Sequence, residues 1–247
     1  NTKIKRAQIS ASKIQSLQVL ERALGADSLE LAHIDYSFKP VKPIVTFEKP
    51  IMEQAVLLTI PPLLYGAMPN MALYSQPDGP SPNPADLLPK GKIKEARESQ
   101  EQSMEYLIDD IVHVGEEMYK SGSDGLNLDT TASAGDAEFL ASLKAVEILK
   151  KKYPKMAIQM GMAAEFVLGM HGELYYDDVR LAGLYPHDQV KVAMKAGVDV
   201  FGPAVSIVTQ ESLPWNVARS TTWTKACSEA SDIPIHACLG MGVGGVP

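Results

Sequence analysis

One feature constrains this chain more than any other: a short apolar run, closed by small or polar residues and followed by helical periodicity, recurs along it. Pro62–Ala67 (PLLYGA) runs into Met68, Pro69 and Asn70, and Gly125–Leu128 (GLNL) runs into Asp129, Thr130 and Thr131. Met156–Met160 runs into Gly161–Glu165, Val198–Phe201 into Gly202 and Pro203, and Ile235–Leu239 into Gly240, Met241 and Gly242. Ser28–Ile34, ending at Asp35, reads as a further strand. Strands that alternate with helices imply a parallel sheet. Continuous apolar runs imply that both of its faces are covered.

The intervening segments carry the helical signals. From Lys92 to Tyr119, apolar residues fall at Ile93, Met104, Leu107, Ile108, Ile111, Val114 and Met118, one stripe of a long helix. Asp136 reads as the N-cap of a helix through Lys152, with Leu140, Leu143, Val146 and Leu149 on one side and Pro154 beyond the end. Pro186 opens a helix to Ala196 that Gly197 terminates, and Pro214 opens another to about Ala230.

Two α/β arrangements fit: an open doubly wound sheet and a (β/α)8 TIM-type barrel. The barrel is favoured, because polar or glycine residues close nearly every strand and a barrel builds its site from all those ends. About five or six β-α units are visible, so an eight-unit barrel is incomplete here. The expectation is one partial barrel domain over residues 1–247, with a proline-rich irregular loop at 76–91 (QPDGPSPNPADLLPKG) overhanging the site or simply connecting across the surface.

Charge and cysteine usage narrow the partners. Net charge is −7, from 30 acidic and 23 basic residues, and no basic stripe suits a nucleic acid. No apolar run reaches the roughly 18 residues a membrane span needs. Cys227 and Cys238 form no disulfide framework, so a reducing cytoplasm is the default location. The chain begins with Asn rather than Met and stops at GMGVGGVP with no helix after it, so it is expected to be a piece of a longer protein.

The residues that carry chemistry are expected at the carboxyl ends of strands. Asp129 follows GLNL, and Asn127, two residues earlier, points to the same side. Glu165 lies just past MAIQM, and His171 follows in Gly169-Met170-His171-Gly172. The alternatives are structural: Asp129 capping the next loop, Glu165 paired with an arginine such as Arg180, His171 serving a turn. His236 reads as a satisfied core histidine with Cys238 on its face, His33 and Asp35 as a local pair, and His113 as an ordinary helix residue. No HExxH, zinc-spaced cluster or GxSxG is present. Gly240-x-Gly242-x-x-Gly245 matches the dinucleotide fingerprint in letters but follows five units rather than opening the first, so phosphate or close backbone approach is the better reading.

Several strings taken together resemble one family. HIDYSFKPVKP (His33–Pro43), YGAMPNM (Tyr65–Met71), LDTT and AGD within Leu128–Asp136, VLGMHG (Val167–Gly172), LAGLYPH (Leu181–His187), VFGP (Val200–Pro203) and GMGVGGVP (Gly240–Pro247) are similar to the dimethylamine–corrinoid protein methyltransferases of methylotrophic methanogens. The resemblance runs from about Leu20 onward. It implies an archaeal, cytoplasmic barrel enzyme of methanogenesis, expected as a homo-oligomer. It moves a methyl group from dimethylamine to cobalt carried by a separate corrinoid protein and binds no cofactor directly. It also implies pyrrolysine as the electrophile, placed beyond GMGVGGVP, so that the 247-residue chain alone is expected to be inactive. On this reading Asp129, Glu165 and His171 are the catalytic candidates, Asn127, Gly240 and Gly242 contact substrate, and no metal is bound. The alternatives are an aldolase-like lyase with a phosphate at Gly240–Gly245 and a non-catalytic piece that binds the corrinoid protein.

Overall fold

The computed structural model describes residues 2–4, 9–11, 41–44, 64–69, 71–163, 165–204 and 214–237. Strands β1 (Thr2–Ile4) and β2 (Ile9–Ala11) pair antiparallel as a separate two-stranded ribbon. The main sheet holds β3 (Val41–Ile44), β4 (Leu64–Pro69), β5 (Gly125–Thr131), β6 (Ala157–Met162) and β9 (Val200–Gly202), in that spatial order. Between β6 and β9 lies a second small ribbon of β7 (Tyr175–Tyr176) and β8 (Val179–Arg180).

From β4 to β9 the strands are parallel neighbours in chain order, as the rhythm predicts. A doubly wound sheet reverses its order at a switch point; the described strands show no such reversal. The predicted strand at Ile235 is represented by one parallel bridge from Phe201, supported by backbone bonds from Phe201 N to Pro234 O and from His236 N to Phe201 O. Strand β3 departs from the rhythm because it runs antiparallel to β4, pairing Ile44 with Gly66. The expected strand at Ser28–Ile34 lies outside the described residues.

Burial alternates along the strands, which corrects the expectation of two equally covered faces. In β5, Leu126 and Leu128 are fully buried, whereas Asn127 and Asp129 are only partly so. In β6, Ile158 and Met160 are fully buried and Gln159 and Gly161 are not. The apolar side packs on helices α2 (Ile93–Lys120) and α3 (Asp136–Lys152), so closely that a Cβ on Gly115 would lie 3.2 Å from Leu126 Cδ2 and 2.9 Å from Leu149 Cδ1.

The helices end where their residues dictate. Helix α1 (Pro84–Leu87) begins at Asn83, whose Oδ1 accepts from Ala85 N at 2.9 Å. It lies inside the 76–91 segment, which is therefore not irregular throughout. Ser99 Oγ donates to Pro82 O and ties that segment to α2. Helix α4 (Pro186–Ala196) starts on proline and stops at Gly197 in the left-handed region, φ 100°, as predicted. Helix α5 (Pro214–Glu229) completes the described set.

Candidate active site

The less buried face of the sheet is polar, and it is built by strand alternation. Asn127 of β5 stands beside Gln159 of β6 in register, so the two side chains leave the same face. Gln159 Nε2 lies 2.9 Å from His236 Nδ1, which brings the exposed His236 onto that face as well. His236 was expected in the core. It is instead an exposed histidine with a polar partner.

Asp129 joins this face through an irregularity. The β5–β6 register shifts between Leu128 and Thr131. Bulges of this kind re-aim side chains, often beside active sites. Thr130 takes φ 52° and Ala132 φ 67°, both left-handed. For a β-branched threonine that conformation is strained. Asp129 Oδ1 accepts from Thr130 N at 2.9 Å, and its carboxylate passes over β6, where a Cβ on Gly161 would lie 2.7 Å from Oδ1. Gly161 pairs with Gly202, and a Cβ on Gly202 would meet His236 O at 2.9 Å. Two glycines thus form a shallow floor between Asp129 and the His236 strand.

Beside that floor stands an unsatisfied acceptor. Asn127 Oδ1 is buried and meets no donor among the described residues, and Thr130 Oγ1 is in the same position. A buried polar oxygen without a donor is unfavourable by about 1–3 kcal/mol, so a ligand that brings N–H groups is stabilised there. A carboxylate, an amide oxygen and a glycine floor suit a small cation better than an anion.

Residues 3–247 match the dimethylamine methyltransferase family (Dimeth_PyL). The chain belongs to the dimethylamine methyltransferase family. It is accordingly a methyltransferase by family, with dimethylamine as the family's substrate.

The other predicted residues of this methyltransferase chain are placed differently. Glu165 follows β6 at the same end of the sheet, and its carboxylate is paired with an arginine, as the structural alternative has it; the partner is Arg219 of α5 rather than Arg180. Arg219 in turn lies over the Trp223 ring, 4.9 Å from its centroid. His171 is 6% exposed and held in a clamp. Its Nε2 lies 3.0 Å from Glu101 Oε1 of α2, its Nδ1 accepts from Glu173 N at 3.3 Å, and its own N–H donates to Asp136 Oδ1 at 2.9 Å. Arg97 Nε donates to His171 O at 3.0 Å, and Arg180 Nε donates to Gly172 O at 2.8 Å. The structural alternative for His171 therefore describes its surroundings better. Gly240, Gly242, Gly245, Cys238, His33 and Asp35 lie outside the described residues. Cys227 is buried, and burial pushes its thiol up to about 12.

Three residues near the site escaped the sequence reading. Gln159 sat inside the apolar string MAIQM, where only pairing with Asn127 reveals its side. Asp136 is not the N-cap of α3; Gly135 is, and Asp136 in the first turn accepts from His171 N and Gly172 N. Glu138, also in that turn, is fully buried. Its Oε2 accepts from Met71 N at 3.1 Å, and its Oε1 accepts from Ser133 Oγ at 2.9 Å and Ala134 N at 3.4 Å. It thereby joins the exits of β4 and β5. Burial outweighs these donors and pushes its carboxyl up to about 7.

Proposed function

We propose that the polar face of this sheet is the amine site of an enzyme that passes a methyl group from dimethylamine to the cobalt of a cognate corrinoid protein, as in methanogenesis from methylamines. The observation that carries the reading is Asn127 Oδ1, a buried acceptor with no donor among the described residues, two residues from the Asp129 carboxylate on one strand. Dimethylammonium has two N–H donors, and these two side chains offer two acceptor groups. Coulomb attraction to Asp129 holds the cation, and Asn127 orients it.

The described strands form one side of a (β/α)8 barrel in this reading. The unbroken chain order and the polar inner face support it. Glu165 shapes the same end through Arg219, and His171 holds the loop after β6 in place. Gly240 and Gly242 remain substrate-contact candidates in this reading. A pyrrolysine supplies the electrophile in this reading, because ordinary side chains are nucleophiles, acids or bases. The corrinoid supplies a nucleophilic cobalt that accepts the methyl group.

The test is methylcobalt formation, followed by absorbance, with full-length protein, a cobalt(I) corrinoid protein and dimethylamine, monomethylamine or trimethylamine in parallel. Dimethylamine is the expected substrate. Turnover of another amine corrects the substrate, and turnover of none overturns the reading.

A further inference from the structure

We infer that His236, set in one tautomer by Gln159, is the hydrogen-bond donor that receives the nitrogen of the departing amine. This rests on the methyl-transfer reading above and adds a residue to it. An amide –NH2 group can only donate, so the 2.9 Å contact from Gln159 Nε2 makes His236 Nδ1 the acceptor. A neutral imidazole with Nδ1 as acceptor carries its proton on Nε2. The ring is exposed, so its Nε2–H is open to a ligand on the polar face.

Such a donor discriminates between the start and the end of the reaction. A four-bonded ammonium nitrogen, free or joined to the electrophile, has no lone pair, so an N–H donor gains nothing from it. When the C–N bond breaks, the methyl group leaves without the bonding electrons and takes an electron pair from the nucleophilic acceptor. The C–N pair stays on nitrogen as a new lone pair. His236 Nε2–H then has an acceptor it lacked before, and no proton has to change hands. An interaction that strengthens as the bond breaks raises kcat and leaves ground-state binding alone. Gln159 acts through His236 and is a positioning residue. Asn127, its register neighbour, stays on the substrate side as an acceptor.

The experiment uses full-length protein labelled with 15N-histidine, wild type and the variants His236→Phe, His236→Gln and Gln159→Glu. The nitrogen spectrum reports which ring nitrogen of His236 carries the proton, whether or not the protein turns over. Wild type is expected to show Nε2–H. Gln159→Glu, whose carboxylate accepts from Nδ1–H, is expected to move the proton to Nδ1. In the methylcobalt assay, His236→Phe and Gln159→Glu should lower kcat on the order of 10²-fold with KM nearly constant. His236→Gln, which keeps an N–H donor, should recover part of the loss. A wild-type ring protonated on Nδ1, or an unchanged kcat in His236→Phe, overturns the role of His236 while the methyl-transfer reading stands. A wild type that shows Nε2–H but turns over no amine overturns both.

Discussion

The two faces of the central sheet differ in what their residues are for. On one side Leu126, Leu128, Ile158, Met160 and Phe201 are fully buried, in contact with a core that continues through α2 and α3. On the other, Asn127, Asp129 and Gln159 are half-buried and His236 is exposed, over two glycines and beside a strained loop. The same strands supply both, one residue apart. Apolar core and polar face are thus separated by the period of two that a strand imposes. Asp199 at the opposite ends of the strands is consumed by structure, taking Lys150 Nζ at 3.0 Å and Ile158 N at 2.7 Å.

The largest effect that tests this division belongs to the apolar face. Phe201→Ala should destabilise the fold by roughly 3–5 kcal/mol, the range for a buried phenylalanine that leaves a cavity. Urea unfolding measures it. A loss below about 1 kcal/mol would mean that the face is not the core described here.

Next comes Glu138, which belongs to neither face but latches two strand exits together. Its carboxyl holds a proton more tightly folded than unfolded, so the stability it contributes is fully present at low pH. That contribution is lost as pH rises from the ordinary glutamate range to about 7. The total is about 3 kcal/mol. Unfolding free energies across that window should fall in wild type and stay flatter in Glu138→Gln. A wild-type profile as flat as that of the variant would show that the carboxylate is accommodated without penalty.

The smallest change is expected on the polar face. Asn127→Leu removes a buried acceptor that has no donor among the described residues, so thermal stability should hold or rise by about 1 kcal/mol. The same variant should bind dimethylamine more weakly. Marked destabilisation would reveal a structural bond for Asn127 and remove it from the amine site.

Much of the scaffold was legible in the sequence, because its signals are local. Pro186 and Gly197 bracket α4 as the rules of helix ends require, and the stripe from Met104 to Ile111 fixes the buried side of α2. Strand β3 was not legible, since its antiparallel pairing to β4 depends on a non-local partner and its four residues VKPI include a proline. The one-sided coverage of the sheet was missed because short apolar runs hide a polar alternate. In MAIQM only Gln159 breaks the run, and its side becomes evident only beside Asn127.

Asn127 and Asp129 were legible as residues near the carboxyl end of a strand. The fate of His171 was not. Two glycines around a histidine look like an exposed turn, but the buried Asp136 draws both backbone N–H groups of His171 and Gly172 inward. Glu165 likewise gave no hint of Arg219, which lies 54 residues further on in α5.

The most direct test of the central claim compares two acids at one end of the sheet. Methylcobalt formation from dimethylamine is measured for full-length wild type, Asp129→Asn and Glu165→Gln, with thermal unfolding of each. Asp129 reaches over the glycine floor, so Asp129→Asn should lower kcat/KM on the order of 10²-fold with the fold intact. Glu165 is taken up by Arg219, so Glu165→Gln should lower it only about threefold. A rate unchanged in Asp129→Asn would contradict the claim that the polar face of this sheet holds the amine.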